Sequence, residues 1–148
     1  MNKPSKRYGN QSKETEGALV SARFHLRGGK RYLQRGLPSA GMAALYEAVL
    51  CGMRYYITRH ERCSAFVKNA DLWDAALLFH ALARAGVFED PNAFNRLSLV
   101  VERVLWEGYV SSDINATVVE VEKILKKLGV ISCDENILLG GSRISYGS

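Results

Sequence analysis

The sequence predicts an all-α fold, a compact bundle of about five helices with a flexible basic N-terminal arm. Apolar residues recur at steps of three and four through most of the 148 residues, which is the spacing of one face of an α-helix. Glycine and proline separate these stretches at short connections. No run alternates apolar and polar residues between turn signals, so we expect no sheet.

The chain length fits one domain with three parts. Residues 1–12 are polar and basic and predict a disordered arm. Residues 13–131 carry the helical spacing and predict the bundle domain. Residues 132–148 form a C-terminal tail whose order the sequence leaves open, because an apolar Ile137-Leu138-Leu139 is followed by Gly140-Gly141.

The first predicted helix carries an apolar stripe through Leu19, Leu26 and Leu33 and ends at Gly36. Two adjacent glycines at positions 28 and 29 lie in its middle. They cost about 1 kcal/mol each relative to alanine. We therefore expect them to kink the helix or to admit a neighbouring backbone.

The second helix, over residues 39–60, has a wide apolar face and is expected to be central. Its short link to the first helix makes the two antiparallel neighbours. Small residues on this helix allow close helix approach, either within the bundle or across a two-fold axis. They are Gly41, Ala44, Ala48 and Gly52.

Capping signals delimit the third and fourth helices. Asp71 is expected to cap the third, which ends at Gly86. Asp90 followed by Pro91 opens the fourth, which ends near Gly108.

The fifth helix starts at Asp113 or Asn115 and ends at Gly129. Near the end of the fourth helix, Trp106 and Tyr109 are expected to cover the open end of the core, with an exposed partner-binding site as the alternative.

Several kinds of chemistry have no signal in the sequence. Phosphate-binding glycine loops, a nucleophile elbow and helical metal motifs are all missing. The three cysteines form no Cys-x-x-Cys pair, and Cys51 is expected to be buried as a small hydrophobe. We therefore expect no cofactor and no metal site. No apolar run approaches the roughly 20 residues that span a bilayer, so a cytoplasmic protein without a membrane partner is expected.

Charge is concentrated at one end of the chain. Residues 1–35 hold nine Lys or Arg and two Glu, a net charge of +7, whereas the remaining residues hold eleven basic and thirteen acidic side chains, a net charge of −2. This asymmetry favours an anionic partner. A role in solubility alone is an equally weighted alternative.

Four arginines at four-residue steps predict a basic face on the first helix. They are Arg23, Arg27, Arg31 and Arg35, with Lys30 beside them. Such a row is able to bind successive phosphates of a nucleic acid. The alternative is a solvated helix face. Tyr8 and Tyr32 lie in the same region and are able to stack on bases, although half-buried packing is the more common role.

A resemblance to a known family rests on residues 14–60. The first helix, the Gly-Leu-Pro break at 36–38, and an alanine-rich second helix with Leu45-Tyr46-Glu47-Ala48 and the pair Tyr55-Tyr56 resemble small bacterial and archaeal HEPN domains. The resemblance implies a helical bundle associated with RNA.

Members of that family that cleave RNA carry arginine, then four to six residues, then histidine. Arg54 and His60 match this pattern with five residues between them. The resemblance implies that His60 would act as an acid or base at a ribose hydroxyl while Arg54 holds the phosphate, in a ribonuclease that needs no metal. The alternative is a surface histidine at a solvated helix end.

Two functions are carried forward. The first is a small helical module that binds nucleic acid or a nucleotide, associated with RNA or another polyanion. The second is a helical protein-interaction or assembly subunit without catalytic activity. Under both we expect a homo-oligomer or a protein partner.

Overall fold

The computed structural model describes residues 3–60, 63, 67, 72–107 and 113–132. Within these ranges the chain forms five helices and no strand, which confirms the predicted all-α bundle. The helices are α1 (Lys3–Gln34), α2 (Pro38–Arg59), α3 (Ala75–Arg84), α4 (Ala93–Glu107) and α5 (Asp113–Lys127). Of the predicted tail, residues 133–148 lie outside the described residues.

Helix α1 begins earlier than the sequence predicted. The expected arm covered residues 1–12, whereas the helix already begins at Lys3, so the expected domain boundary at residue 13 lies inside it. Pro4 stands in the first turn, where a missing backbone N–H removes no helical hydrogen bond. Among residues 3–12, Lys3, Lys6, Arg7 and Gln11 are good helix formers, whereas Gly9 is a poor one.

The connection between α1 and α2 is a glycine-terminated turn. Gly36 has a φ of 74°, and the amide of Leu37 donates to the carbonyl of Tyr32 at 2.9 Å. Pro38 then occupies the first turn of α2. The hydroxyl of Thr15 donates to that of Thr58 at 3.1 Å near the far end of α2. The two helices are therefore antiparallel, as predicted.

The α1 and α2 backbones meet at Gly29 and Gly41. A Cβ at Gly29 would lie 2.9 Å from Leu45 Cδ2 and 3.1 Å from the Gly41 carbonyl oxygen. A Cβ at Gly41 would lie 2.6 Å from Leu33 Cδ2 and 3.1 Å from the Gly29 carbonyl oxygen. A Cβ at Gly28, by contrast, would meet no other part of the fold within 4 Å. Of the two adjacent glycines, Gly29 is thus the one that admits the neighbouring backbone.

Helix α2 is the centre of the bundle. Its middle is buried on nearly every side, and α1, α3, α4 and α5 all pack against it. Met42, Leu45 and Met53 are fully buried. A Cβ at Gly52 would lie 2.8 Å from Leu125 Cδ2, so this glycine seats α5 on α2. Gly41 and Gly52 therefore serve contacts within the bundle.

The start of α3 differs from its prediction. The helix begins at Ala75, and the N-cap is Asp74, whose carboxylate accepts from the amide of Leu77 at 3.2 Å. Asp71, the predicted cap, lies outside the described residues. Asp90 precedes α4 as predicted, and its carboxylate accepts from the amide of Asn92 at 2.9 Å.

The expected burial of Trp106 was wrong. This side chain is 86% exposed. It follows the buried Val104 by two residues, which places it about 200° around the axis of α4, on the opposite face. Tyr109 lies outside the described residues.

Replacing Gly29 with alanine is expected to destabilise the fold by about 1–3 kcal/mol, because the new methyl group meets the backbone of α2 and overpacks the contact. Gly28→Ala is the matched control one position earlier. It should be neutral or stabilising by up to about 1 kcal/mol, since alanine favours a helix and meets no atom there. Urea denaturation of both variants measures the difference. Equal stability of the two variants would contradict the close approach.

Candidate functional site

The basic residues of α1 lie on two different sides of the helix. Four residues advance an α-helix by about 40° beyond a full turn, so a four-residue series drifts around the axis. Arg23 and Lys30, seven residues apart, return to nearly the same side. Arg27, Arg31 and Arg35 turn progressively away from them.

The first side holds α1 against α5. The Arg23 Nε donates to the carbonyl oxygen of Val130 at 2.9 Å, just beyond the end of α5. The Lys30 Nζ lies 3.2 Å from a carboxylate oxygen of Glu122, and only 12% and 13% of these two side chains are exposed. Arg23 and Lys30 were predicted to bind nucleic acid. That role stays a prediction, and in the structure both side chains contact α5 or the residues that follow it.

The second side lines a cleft of about 740 Å³ between α1 and α2. Arg27, Arg31 and Arg35 all contribute to its lining and are exposed. The other lining residues are Phe24, His25, Gly28, Tyr32, Ala43, Ala44 and Glu47. The cleft lining therefore combines three guanidinium groups, two large aromatic rings and several small residues.

The two aromatic side chains are unusually exposed for their size. Phe24 is 69% exposed and Tyr32 is 40% exposed. The Phe24 ring meets the ring of His25 edge to face, with centroids 5.6 Å apart. A stacking role was predicted from the sequence for Tyr32 and not for Phe24. The available signal was a phenylalanine on the polar side of α1, about 200° around the helix axis from the buried Leu26.

One carboxylate lies among these arginines. Glu47 of α2 is half-buried, and among the described residues it has no hydrogen bond or ion pair. Its charge acts on neighbouring groups: the pKa of the Cys51 thiol is raised first by burial and then by Glu47. The pKa of Tyr46 is raised by burial, then by Asp74, and then by Glu47.

Arg54 and His60 each have an aromatic partner of their own. The Arg54 guanidinium carbon lies 3.7 Å from the centroid of the Trp73 ring, and its buried Nε has no hydrogen-bond partner among the described residues. The His60 ring packs against Tyr56 with centroids 4.0 Å apart. Six residues advance a helix by about 240°, so the two side chains leave α2 in different directions. Neither residue lines the cleft.

Two cysteines lie in the described residues. Cys51 is buried as predicted, and burial raises the pKa of its thiol, which opposes thiolate formation at neutral pH. Cys63 is also buried, and neither of the two forms a disulfide. Cys133 lies outside the described residues.

Within the described ranges, no three histidine, cysteine or carboxylate side chains come together as a metal-binding group. None of the helices there has the length and apolar character needed to cross a membrane. Compared with known proteins, the chain matches no family model, no curated protein and no solved structure. The resemblance to HEPN domains therefore stays a prediction.

The free energy of unfolding tests whether Arg23 stabilises the fold while Arg31, on the exposed side of α1, does not. Arg23→Ala removes the donor to the Val130 carbonyl and should lower the free energy of unfolding by about 1.5–3 kcal/mol, the range for hydrogen bonds to charged groups. Arg31→Ala, on the exposed side of the same helix, should change it by less than about 0.5 kcal/mol. Thermal and urea denaturation compare the two. A larger loss for Arg31→Ala would overturn this assignment.

Proposed function

We propose that the protein binds single-stranded RNA in the cleft between α1 and α2. The observation that carries the proposal is the cleft lining, in which Arg27, Arg31 and Arg35 stand beside the exposed rings of Phe24 and Tyr32. A positively charged groove with aromatic side chains is the combination by which proteins bind single strands, through phosphate contacts and base stacking together.

The spacing of the arginines suits a phosphate backbone. Four helical residues rise about 6 Å, so Arg27, Arg31 and Arg35 extend over about 12 Å along α1. The amide of Arg35 still donates to the carbonyl of Arg31 at 3.1 Å, which continues the helical path to the third arginine. Steps of this size are close to the distance between neighbouring phosphates of an extended single strand. Guanidinium groups also bind phosphate oxygens in a two-point geometry.

The arginines of the cleft are available for a ligand. No ion pair or hydrogen bond engages the side chains of Arg27, Arg31 and Arg35 within the described part of the chain. By contrast, Arg23 and Lys30 are already engaged by α5. Repulsion among like charges on one helix face costs tenths of a kcal/mol per pair. Bound phosphates would relieve that cost.

The exposed aromatic rings favour a single strand over a duplex. Paired bases hide their faces in the helical stack, whereas unpaired bases offer them to aromatic side chains. Phe24 and Tyr32 are eight residues apart, about 12 Å along α1, which leaves room for bases at two separate places. Gly28, Ala43 and Ala44 also line the cleft and are too small to fill the space between the two aromatic rings.

The proposal concerns binding and does not depend on Arg54 and His60. The HEPN-like resemblance agrees with an RNA ligand, and any cleavage by Arg54 and His60 would take place outside the cleft. His60→Ala should therefore leave RNA affinity unchanged, because the His60 ring packs against Tyr56 and does not line the cleft.

The salt dependence of binding tests the arginine contacts. For wild type with a labelled oligouridylate of about ten nucleotides, the logarithm of the association constant should fall linearly with the logarithm of salt concentration. Arg27→Gln/Arg31→Gln should weaken binding and reduce the slope by about 1.4, because two phosphate contacts are lost at about 0.7 each. Fluorescence anisotropy measures both quantities.

Arg84→Gln/Arg103→Gln is the matched control, since it removes the same charge from exposed residues of α3 and α4. The control variant should keep the salt slope of the wild type. If both double variants lose slope equally, binding depends on the net positive charge of the protein and not on the cleft arginines. If the wild-type protein does not bind the oligouridylate at low salt, the proposed function is wrong.

Base stacking is tested by the aromatic residues. Phe24→Ala and Tyr32→Ala should each cost about 1–3 kcal/mol of binding energy, the range for stacking of one base, and should leave the salt slope unchanged. Phe24→Leu retains an apolar side chain of moderate size and controls for loss of packing. Unchanged affinity in both alanine variants would show that bases do not stack in the cleft.

The second candidate function, a protein-interaction or assembly subunit, has one structural observation in its favour. Leu99 and Trp106 are seven residues apart on α4, on one face, and are 56% and 86% exposed. An exposed tryptophan is a frequent centre of protein interfaces. This function predicts that the wild type self-associates in sedimentation experiments and that Trp106→Ala is a monomer.

A further inference from the structure

The carboxylate of Glu47 is the one feature of the cleft lining that opposes phosphate binding. Glu47 lies on α2, whereas Arg27 and Arg31 lie on α1, which forms the other wall of the cleft. A carboxylate repels phosphate oxygens, so a cleft that bound only a sugar–phosphate backbone would gain affinity from a neutral residue at this position. Glu47 nevertheless remains without an ion pair among the described residues, although three arginines line the same cleft.

An unpaired carboxylate is well suited to binding a nucleobase. Ionised glutamate accepts hydrogen bonds through two oxygens and donates none. It therefore selects groups that present donors side by side, and the bonds are strengthened by its charge. The half-buried position of Glu47 strengthens such bonds further, because water competes less there than at an exposed side chain.

Guanine is the RNA base that presents two adjacent donors on its Watson–Crick edge, the N1–H and the 2-amino group. Adenine and cytosine each place one amino group beside a ring nitrogen that accepts, and uracil places its N3–H between two carbonyl oxygens. An acceptor opposite a carboxylate oxygen is repelled. A carboxylate that faces the base edge therefore favours guanine over the other three bases.

We propose that Glu47 reads a guanine base in the cleft, with its two oxygens accepting from N1–H and from the 2-amino group. This inference rests on the proposed function, since the strand must first lie in the cleft. Phe24 or Tyr32 stacks on the base from the α1 side while Glu47 meets its edge from the α2 side. The three arginines hold the phosphates that flank it, so the cleft binds a guanosine-containing single strand.

The test compares oligouridylates of about ten nucleotides that carry one central guanosine, adenosine or inosine. Wild type should bind the guanosine oligomer about tenfold more tightly than the adenosine oligomer, within the discrimination of a two-point base contact. Inosine retains N1–H and lacks the 2-amino group, so the inosine oligomer should bind less tightly than the guanosine oligomer and more tightly than the adenosine oligomer. This comparison uses only the wild-type protein.

Glu47→Gln supplies the protein arm, with thermal denaturation as its folding control. The variant should lose the preference for guanosine and bind the adenosine oligomer at least as tightly, because the one acceptor and one donor of glutamine match the amino group and the accepting ring nitrogen of adenine. Its affinity for unsubstituted oligouridylate should equal or exceed that of wild type, since a negative charge has been removed.

Two failures are distinguishable. If wild type binds all four oligomers equally and Glu47→Gln strengthens all of them by one factor, Glu47 acts only as a repulsive charge and the guanine inference is overturned while RNA binding stands. If wild type binds none of the oligomers at low salt, the proposed function itself fails and the guanine inference fails with it.

Discussion

The contact between the α1 and α2 backbones at Gly29 and Gly41 is the constraint on which the rest of the structure depends. Each glycine lies against the carbonyl oxygen and a leucine side chain of the other helix, so neither position has room for a Cβ. Close approach at this point brings the adjacent walls of the two helices together. Gly28 on α1 and the Ala43–Ala44 pair on α2 contribute small residues to the lining of the cleft. Larger residues at the contact would separate the walls that carry the arginines and Glu47.

The same helix geometry divides the charge of α1 between stability and binding. Each four-residue step rotates the arginine series by about 40°, so its first member points to α5 and the later members point to the cleft. Arg23 and Lys30 are engaged by Val130 and Glu122. One basic helix therefore contacts α5 on one side and, within the described part of the chain, presents guanidinium groups without ion pairs on the other.

Much of the fold could be predicted from apolar spacing and capping residues. The bounds of α2 and α5 lie within a residue or two of prediction, because long amphipathic stretches there end at clear signals such as Gly129. The start of α3 was harder to predict, because two aspartates, Asp71 and Asp74, precede its apolar stretch, and the cap is Asp74. The start of α1 was missed because residues 3–12 are polar, show no apolar period, and include only four good helix formers, Lys3, Lys6, Arg7 and Gln11.

The site was less predictable than the fold. From their spacing alone, the basic residues of α1 were predicted to form one face. The sequence does not reveal that α5 packs against one edge of that face. Phe24 and Glu47 are 23 residues apart in sequence, and only the antiparallel packing of α1 and α2 brings both to the cleft. Arg54 and His60 matched a sequence pattern, but each packs against a different aromatic ring.

A titration of ¹⁵N-labelled protein with a guanosine-containing oligouridylate, followed by two-dimensional NMR, tests most directly whether the ligand lies between α1 and α2. If it does, the amide signals of Gly28, Ala43 and Ala44 should shift most, because these residues line the cleft and contribute no functional side chain. Signals from α4, such as Leu99, should stay in place. Shifts centred on α4, or none at a protein concentration of about 100 μM with excess oligonucleotide, would contradict the placement of the ligand between α1 and α2.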